Sequence, residues 1–183
     1  TAFGKTVTAI GLIARRGVNT LILVHTKALL DQWVKALEQF LTINTLPEEN
    51  EGKRKRRKPL SPVGTLSSTG NKLHGMIDIA LMQSCISDND VKPFIKEYGM
   101  VIVDECHHVS AVNFEQILKA TNAHYVYGLT ATPIRKDGHQ PIIFMQCGPI
   151  RYSADAKSQM LSQTFERLLV PRFTSFRPIV GSD

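Results

Sequence analysis

The sequence predicts an α/β fold in which a mainly parallel central sheet is flanked by helices. Short and continuously apolar runs, such as residues 20–25 and 100–103, are typical of strands buried on both faces of a sheet. Stretches with apolar residues at helical spacing, such as residues 7–14 and 29–41, alternate with these runs. Strands that alternate with helices indicate a parallel sheet. The length of 183 residues is enough for one domain with a real core.

The individual elements follow from the same patterns. The first predicted helix begins at Gly4-Lys5-Thr6 and ends near Gly17. In the helix predicted over residues 29–41, we expect the face with Trp33 and Phe40 to lie in the core. The polar residues 47–62 predict an exposed loop. The remaining predicted elements are strands over residues 63–68, 77–82, 100–103 and 125–129, with a Gly/Asn turn region between the first two, and a helix around residues 114–118.

Composition excludes several classes of protein. Hydrophobic residues make up 43% and charged residues 21%, as in ordinary globular proteins. No apolar run approaches the ~18 residues of a membrane span, and no signal peptide is visible. The three cysteines are widely spaced and form no CxxC pair, which favours a reducing, intracellular and hence cytoplasmic setting.

The net charge of +6 comes from one segment of the chain. Residues 53–58 are all lysine or arginine, and without them the basic and acidic residues balance. One interpretation is a solvated loop. The alternative is a phosphate-attracting segment whose binding would weaken with salt.

The first residues predict part of a phosphate-binding loop. At a helix N-terminus, unpaired backbone N–H groups and the helix dipole favour an anion, and Lys5 would add a full charge. Gly4 allows close approach of the backbone, and Thr6 has the hydroxyl that ligates Mg²⁺ in such loops. The chain begins without Met and the first glycine of the loop would precede residue 1, so we expect an N-terminally truncated fragment. A simple helix cap is the alternative.

Two further polar segments follow buried strands. Asp104 could hold Mg²⁺, and Glu105 could orient and deprotonate a water molecule. Thr130 and Thr132 follow the strand over residues 125–129. Ligands bind at the carboxyl ends of strands in open α/β sheets, so we expect these segments to converge there with the phosphate loop.

Together these segments resemble a known family. GKT at residues 4–6, DECH at 104–107 and TAT at 130–132 resemble motifs I, II and III of superfamily 2 helicases. Residues 21–33 and 79–84 are similar to further motifs of the type III restriction enzyme Res-subunit and XPB-like group. The resemblance covers residues 1–150 and implies a RecA-like P-loop NTPase sandwich of three layers. Residues 151–183 would form a C-terminal extension or linker toward an absent second RecA-like domain.

The resemblance also implies roles for individual residues. ATP and Mg²⁺ would be the cofactors, Lys5 and Glu105 the catalytic residues, and Thr6 and Asp104 the Mg²⁺ ligands. The residues that would bind the nucleotide are Gly4, Lys5, Thr6, Asp104, His107, Thr130 and Thr132. The residues that would lie near nucleic acid, DNA rather than RNA, are His25, Thr26, Gln83 and Ser84.

The implied function is the ATP-binding lobe of a helicase or translocase. In this family ATP lies between two lobes, and the second lobe supplies arginine fingers that contribute ~10³–10⁵ to kcat. No second set of motifs occurs here, so we expect the isolated chain to be nearly inactive. The alternatives are the motor subunit of a restriction enzyme and a nucleic-acid-binding module that does not hydrolyse ATP.

Overall fold

The computed structural model describes residues 4–43, 62–88, 90–106, 111–131 and 140–153. The chain divides into two compact units, Thr1–Ile150 and Arg151–Asp183. The basic segment over residues 53–58 lies outside the described residues, as does nearly all of the second unit. The interpretation of that unit as a linker therefore stays a prediction.

Four helices and eight strands make up the described part of the chain. The helices are α1 (Lys5–Arg16), α2 (Lys27–Phe40), α3 (Ala111–Ala120) and α4 (Gln140–Cys147). The strands are β1 (Thr20–Val24), β2 (Gly64–Ser67), β3 (Gly70–Lys72), β4 (Ile77–Leu81), β5 (Ile86–Ser87), β6 (Asp90–Val91), β7 (Met100–Asp104) and β8 (Tyr125–Leu129). Short 3₁₀ helices cover Met82–Cys85 and Pro93–Glu97.

The main sheet has six strands in the order β3-β2-β4-β1-β7-β8. Every neighbouring pair is parallel except β2 and β3, and β5 pairs with β6 in a separate small sheet. Leu23 of β1 lies opposite Ala80 on one side and Val103 on the other. The predicted α/β fold with a mainly parallel sheet is therefore confirmed.

The core lies on both faces of the sheet, which gives three layers. Alternate residues of β1 and β7 point to opposite faces, as expected for a strand period of two. One face packs against α3 and includes Leu21, Leu23, Val101, Val103, Phe114 and Ile117. The other packs against α1 and α2 and includes Ile10, Ile13, Ile22, Trp33, Leu37 and Ile102.

The structure differs from the sequence predictions at several places. Strand β3 occupies the expected turn region, and its exposed polar residues carry no apolar pattern that could reveal it. Helix α4 was not predicted. Phe40 was expected in the core but is 52% exposed, because it is the last residue of α2, beyond the buried turn of Trp33 and Leu37.

A buried carboxylate joins three segments at the amino end of the sheet. Asp78 of β4 has no exposed surface. Its oxygens accept hydrogen bonds from the backbone N–H of Gly75 at 2.7 Å and from the hydroxyl of Tyr98 at 2.5 Å. A Cβ added to Gly64 of β2 would overlap this carboxylate. The cluster therefore fixes how β2, β4 and the segment before β7 meet.

Candidate functional site

Two oppositely charged side chains, 100 positions apart in the sequence, meet at the carboxyl edge of the sheet. The ammonium group of Lys5 lies 2.6 Å from Oε1 of Glu105, and each side chain is 18% exposed. Lys5 is the first residue of α1, and Glu105 directly follows β7. The structure thus brings the start of α1 to the two carboxylate residues Asp104 and Glu105 at the end of β7.

Asp104 is held firmly beside this ion pair. It is 6% exposed, and its Oδ2 accepts a hydrogen bond from Nε1 of Trp33 at 2.8 Å. Its Oδ1 accepts a hydrogen bond from the backbone N–H of Glu105 at 2.9 Å. Both carboxylate oxygens therefore have a defined donor.

The backbone turns sharply at Glu105. Its φ of 47° lies in the left-handed region, which is uncommon for residues other than glycine. Consecutive side chains of a strand point to opposite faces. This turn interrupts the alternation, so that Asp104 reaches Trp33 of α2 and Glu105 reaches Lys5 of α1 on the same face of the sheet.

The start of α1 is arranged for an anion. Gly4 precedes the helix with φ 66°, a left-handed conformation that suits glycine. Among the described residues, no side chain caps this end of α1, and its first turn contains no acidic residue. Thr6 is half-buried and borders the groove between α1 and α2. The N–H groups of the first turn and the Lys5 ammonium thus provide a local positive charge.

The residues predicted near nucleic acid lie at the same edge. His25 follows β1, and Gln83 lies in the 3₁₀ helix that follows the neighbouring strand β4. The side-chain amide of Gln83 donates a hydrogen bond to the backbone oxygen of His25 at 3.0 Å. Thr26 caps α2 by accepting a hydrogen bond from the Leu29 N–H at 3.3 Å. Ser84 is half-buried beside the exposed Gln83.

Of the two threonines in this segment, Thr130 is described and Thr132 is not. Thr130 is half-buried and follows Leu129, the parallel partner of Asp104 in the sheet. Thr130 therefore extends from β8 beside the acidic end of β7. Thr132 and His107 lie outside the described residues, and their roles stay predictions.

Two thiols flank this site, the buried Cys106 and the half-buried Cys147. Burial raises the pKa of Cys106 to about 11 and that of Cys147 to about 12. A Cβ at Gly128 would lie 3.1 Å from the sulfur of Cys147 and 3.3 Å from that of Cys106. Because only a thiolate is a good nucleophile, these thiols act as packing groups at neutral pH.

The residues at this edge fit a Mg²⁺ ion that accompanies phosphate. The described residues contain no group of three or more His, Cys, Asp or Glu side chains that could hold a metal by themselves. Mg²⁺ instead prefers one or two carboxylates together with water and substrate phosphates. A nearly buried Asp104 carboxylate, close to the helix start that carries Lys5 and Thr6, has this character.

Comparisons with known proteins agree with this arrangement. The family described as type III restriction enzyme, res subunit, matches residues 1–135. Putative helicase 109L of Invertebrate iridescent virus 3 is 32% identical over 152 residues, which cover 81% of this chain and 42% of that protein. DNA 3'-5' helicase XPB of Mycobacterium tuberculosis is 31% identical over 157 residues, which cover 84% of this chain and 26% of that protein.

A solved structure shows the same fold. The UvsW helicase from bacteriophage T4 matches with a TM-score of 0.56 and 16% identity, over 76% of this chain and 48% of that chain. The chain spans less than half the length of these helicases. Within the described residues, no helix has the length and apolar character needed to cross a membrane.

Fold and comparisons together define the first RecA-like lobe of a superfamily 2 helicase. The family match spans well over half of the residues. The chain therefore belongs to the family of the type III restriction enzyme res subunit.

Proposed function

We propose that this chain is the ATP-binding lobe of a nucleic-acid-dependent ATPase, a DNA helicase or translocase that hydrolyses ATP to ADP and phosphate. The observation that carries the proposal is the 2.6 Å contact between Lys5 and Glu105, directly beside the buried Asp104. A lysine at a helix start and two strand-end carboxylates are the groups that phosphoryl transfer to water needs.

The contacts suggest a sequence of events at this site. Lys5 would exchange Glu105 for the terminal phosphates of ATP, and the N–H groups at the start of α1 would bind phosphate oxygens. Thr6 and Asp104 would hold Mg²⁺, which would neutralise charge that develops on the phosphates. Once separated from Lys5, the Glu105 carboxylate can accept a proton from the attacking water.

Nucleic acid would bind along the neighbouring part of the same edge. His25, Thr26, Gln83 and Ser84 lie after β1 and β4, where they can face a sugar-phosphate backbone. The name of the mycobacterial relative, a DNA 3'-5' helicase, supports DNA as the partner. His107, Thr130 and Thr132 would connect the nucleotide site to movement of the lobes.

A second RecA-like lobe would complete the site in the parent chain. An arginine finger contributes ~10³–10⁵ to kcat in related reactions. The isolated chain is therefore expected to hydrolyse ATP very slowly and to bind it weakly. The match to a restriction enzyme res subunit supports a second candidate, the motor subunit of a restriction enzyme.

The test is ATP turnover by the two-lobed parent protein in the presence of DNA. Glu105→Gln should abolish DNA-stimulated turnover while ATP binding remains, because the proton acceptor is lost and Lys5 is kept. Lys96→Ala, an exposed change on the 3₁₀ helix at the opposite edge of the sheet, is the matched control and should turn over ATP normally. Equal rates for Glu105→Gln and wild type would instead favour a module that binds nucleic acid without hydrolysis.

A further inference from the structure

The indole of Trp33 does more than fill the core. Its side chain is 1% exposed and extends from α2 into the core cluster that α1 and α2 form with the sheet. Its Nε1 also donates a hydrogen bond to Oδ2 of Asp104 at 2.8 Å, and this bond is buried. The helical pattern predicts only the apolar role of Trp33. A phenylalanine would suit that pattern equally, but it has no N–H to offer the carboxylate.

This bond determines how the Asp104 carboxylate is oriented. Trp33 holds Oδ2, and the backbone N–H of Glu105 holds Oδ1. Each carboxylate oxygen has two lone pairs, so each keeps one for a cation or its water. The two donors restrict rotation of the carboxylate and thereby fix the direction of those remaining lone pairs.

The donor lies on a rigid element. Helix α2 is continuous from Lys27 to Phe40 and is capped by Thr26, and Trp33 sits two turns into it. The 1% exposure of the ring excludes water from the hydrogen bond to Asp104. A donor fixed in this way can hold a ligand carboxylate in position before the cation arrives.

We infer that Trp33 is a positioning residue for Asp104, and that its indole N–H sets the carboxylate in the orientation that binds a divalent cation. The inference rests on the proposed function, since it takes Asp104 as the cation ligand. Loss of a hydrogen-bond partner of a metal ligand typically weakens metal affinity about 10–100-fold. The expected loss on removing this N–H is at least about tenfold.

The experiment removes the N–H and keeps the shape of the side chain. The 183-residue chain is prepared with β-(3-benzothienyl)alanine in place of Trp33, so that sulfur replaces the indole N–H, and Trp33→Phe is made as a second variant. Binding of Mn²⁺ in the presence of ADP is measured from the electron paramagnetic resonance signal of the free ion. Asp104→Asn should lose this binding. Asp31→Asn, an exposed change on α2, is the matched control and should bind like wild type.

Tryptophan fluorescence gives a second readout that does not depend on activity. Trp33 is the only tryptophan of the chain, so all tryptophan emission comes from the indole that contacts Asp104. Mg²⁺ with ADP should change this emission in wild type and in Asp31→Asn, but not in Asp104→Asn. Circular dichroism and the thermal unfolding midpoint establish that each variant is folded.

The outcomes separate this inference from the proposed function. A folded benzothienyl variant that binds Mn²⁺ at least about tenfold more weakly than wild type supports the role of Trp33. If that variant binds as tightly as wild type while Asp104→Asn does not, the inference is wrong and the cation site stands. If Asp104→Asn also binds like wild type, Asp104 is not a ligand, and both the inference and the proposed cation site are wrong.

Discussion

The buried Asp78 carboxylate makes the loss of a single hydroxyl costly. In Tyr98→Phe, Asp78 would keep its bonds to backbone N–H groups but lose the 2.5 Å hydrogen bond from the phenol. Burial raises the pKa of the Tyr98 hydroxyl, and the hydrogen bond to Asp78 raises it further, so that this hydroxyl remains a donor across the ordinary pH range. The variant isolates one donor to a carboxylate that water does not reach.

The expected cost follows from the charge of the acceptor. Hydrogen bonds to charged groups contribute about 1.5–3 kcal/mol to stability, roughly twice the value for neutral pairs. For a chain of this length, each kcal/mol shifts Tm by about 2–4 °C. Tyr98→Phe should therefore lower the free energy of unfolding by about 1.5–3 kcal/mol and Tm by about 3–12 °C.

The assay is urea unfolding monitored by circular dichroism. The urea midpoint is fitted together with the slope of the unfolding free energy against urea concentration. The control Tyr152→Phe removes a phenolic hydroxyl from a side chain that is 78% exposed. Its free energy of unfolding should stay within about 0.5 kcal/mol of wild type. A double-mutant cycle with Asp78→Asn should give a coupling free energy above about 0.5 kcal/mol. Equal stability of Tyr98→Phe and Tyr152→Phe would mean that the hydrogen bond from Tyr98 to Asp78 does not stabilise the fold.

Three further predictions concern packing, pH and nucleotide binding. Gly64→Ala should lower the urea midpoint strongly, because the added Cβ would overlap the Asp78 carboxylate and the backbone oxygen of Lys72. The matched control Gly70→Ala should be nearly neutral, because a Cβ at that position has no atom within 4 Å. Burial raises the pKa values of the Cys85, Cys106 and Cys147 thiols to about 12, 11 and 12. Because the folded state then holds these protons more tightly than the unfolded chain, stability should fall as pH rises from about 9 toward 11–12, by up to about 1.4 kcal/mol per pH unit for each thiol. Urea midpoints at about pH 8 and about pH 10 measure this effect, and equal midpoints would contradict it. Glu105→Gln should bind ATP more tightly than wild type in a fluorescence competition assay, because the carboxylate that contacts Lys5 is removed; weaker binding would contradict the proposed competition.

The sequence predicted the sheet because β1 and β7 contain continuous apolar runs, with Thr20 and Asp104 at their outer ends. Every residue of β1 and β7 is buried, which produces the continuous apolar runs that periodicity analysis detects. Strand β3 is polar and exposed on all three residues, so its pairing with β2 leaves no trace in the apolar pattern. Helix α4 has the sequence QPIIFMQC, in which four apolar residues stand in a row. A short apolar run of this kind does not distinguish a helix from a strand.

The site was predictable to a similar extent. Motif spacing and strand ends indicated that Lys5 and Glu105 would converge, and the structure places them in contact. No pattern in the sequence indicated the hydrogen bond from Trp33 to Asp104, because an apolar helical position does not reveal where an indole N–H points. The left-handed backbone at Glu105 was equally hidden, because φ above zero is predictable mainly at glycine.

In the proposed function, Lys5 at the start of α1 and the acidic end of β7 form one nucleotide site. The most direct test compares the affinity for ATP, in the presence of Mg²⁺, of the wild-type chain, of Lys5→Ala and of the control Lys96→Ala. Lys5→Ala should bind ATP at least about tenfold more weakly than wild type, because a charged hydrogen bond to phosphate is lost, and Lys96→Ala should bind normally. Indistinguishable affinities of all three proteins would mean that Lys5 is not part of a nucleotide site.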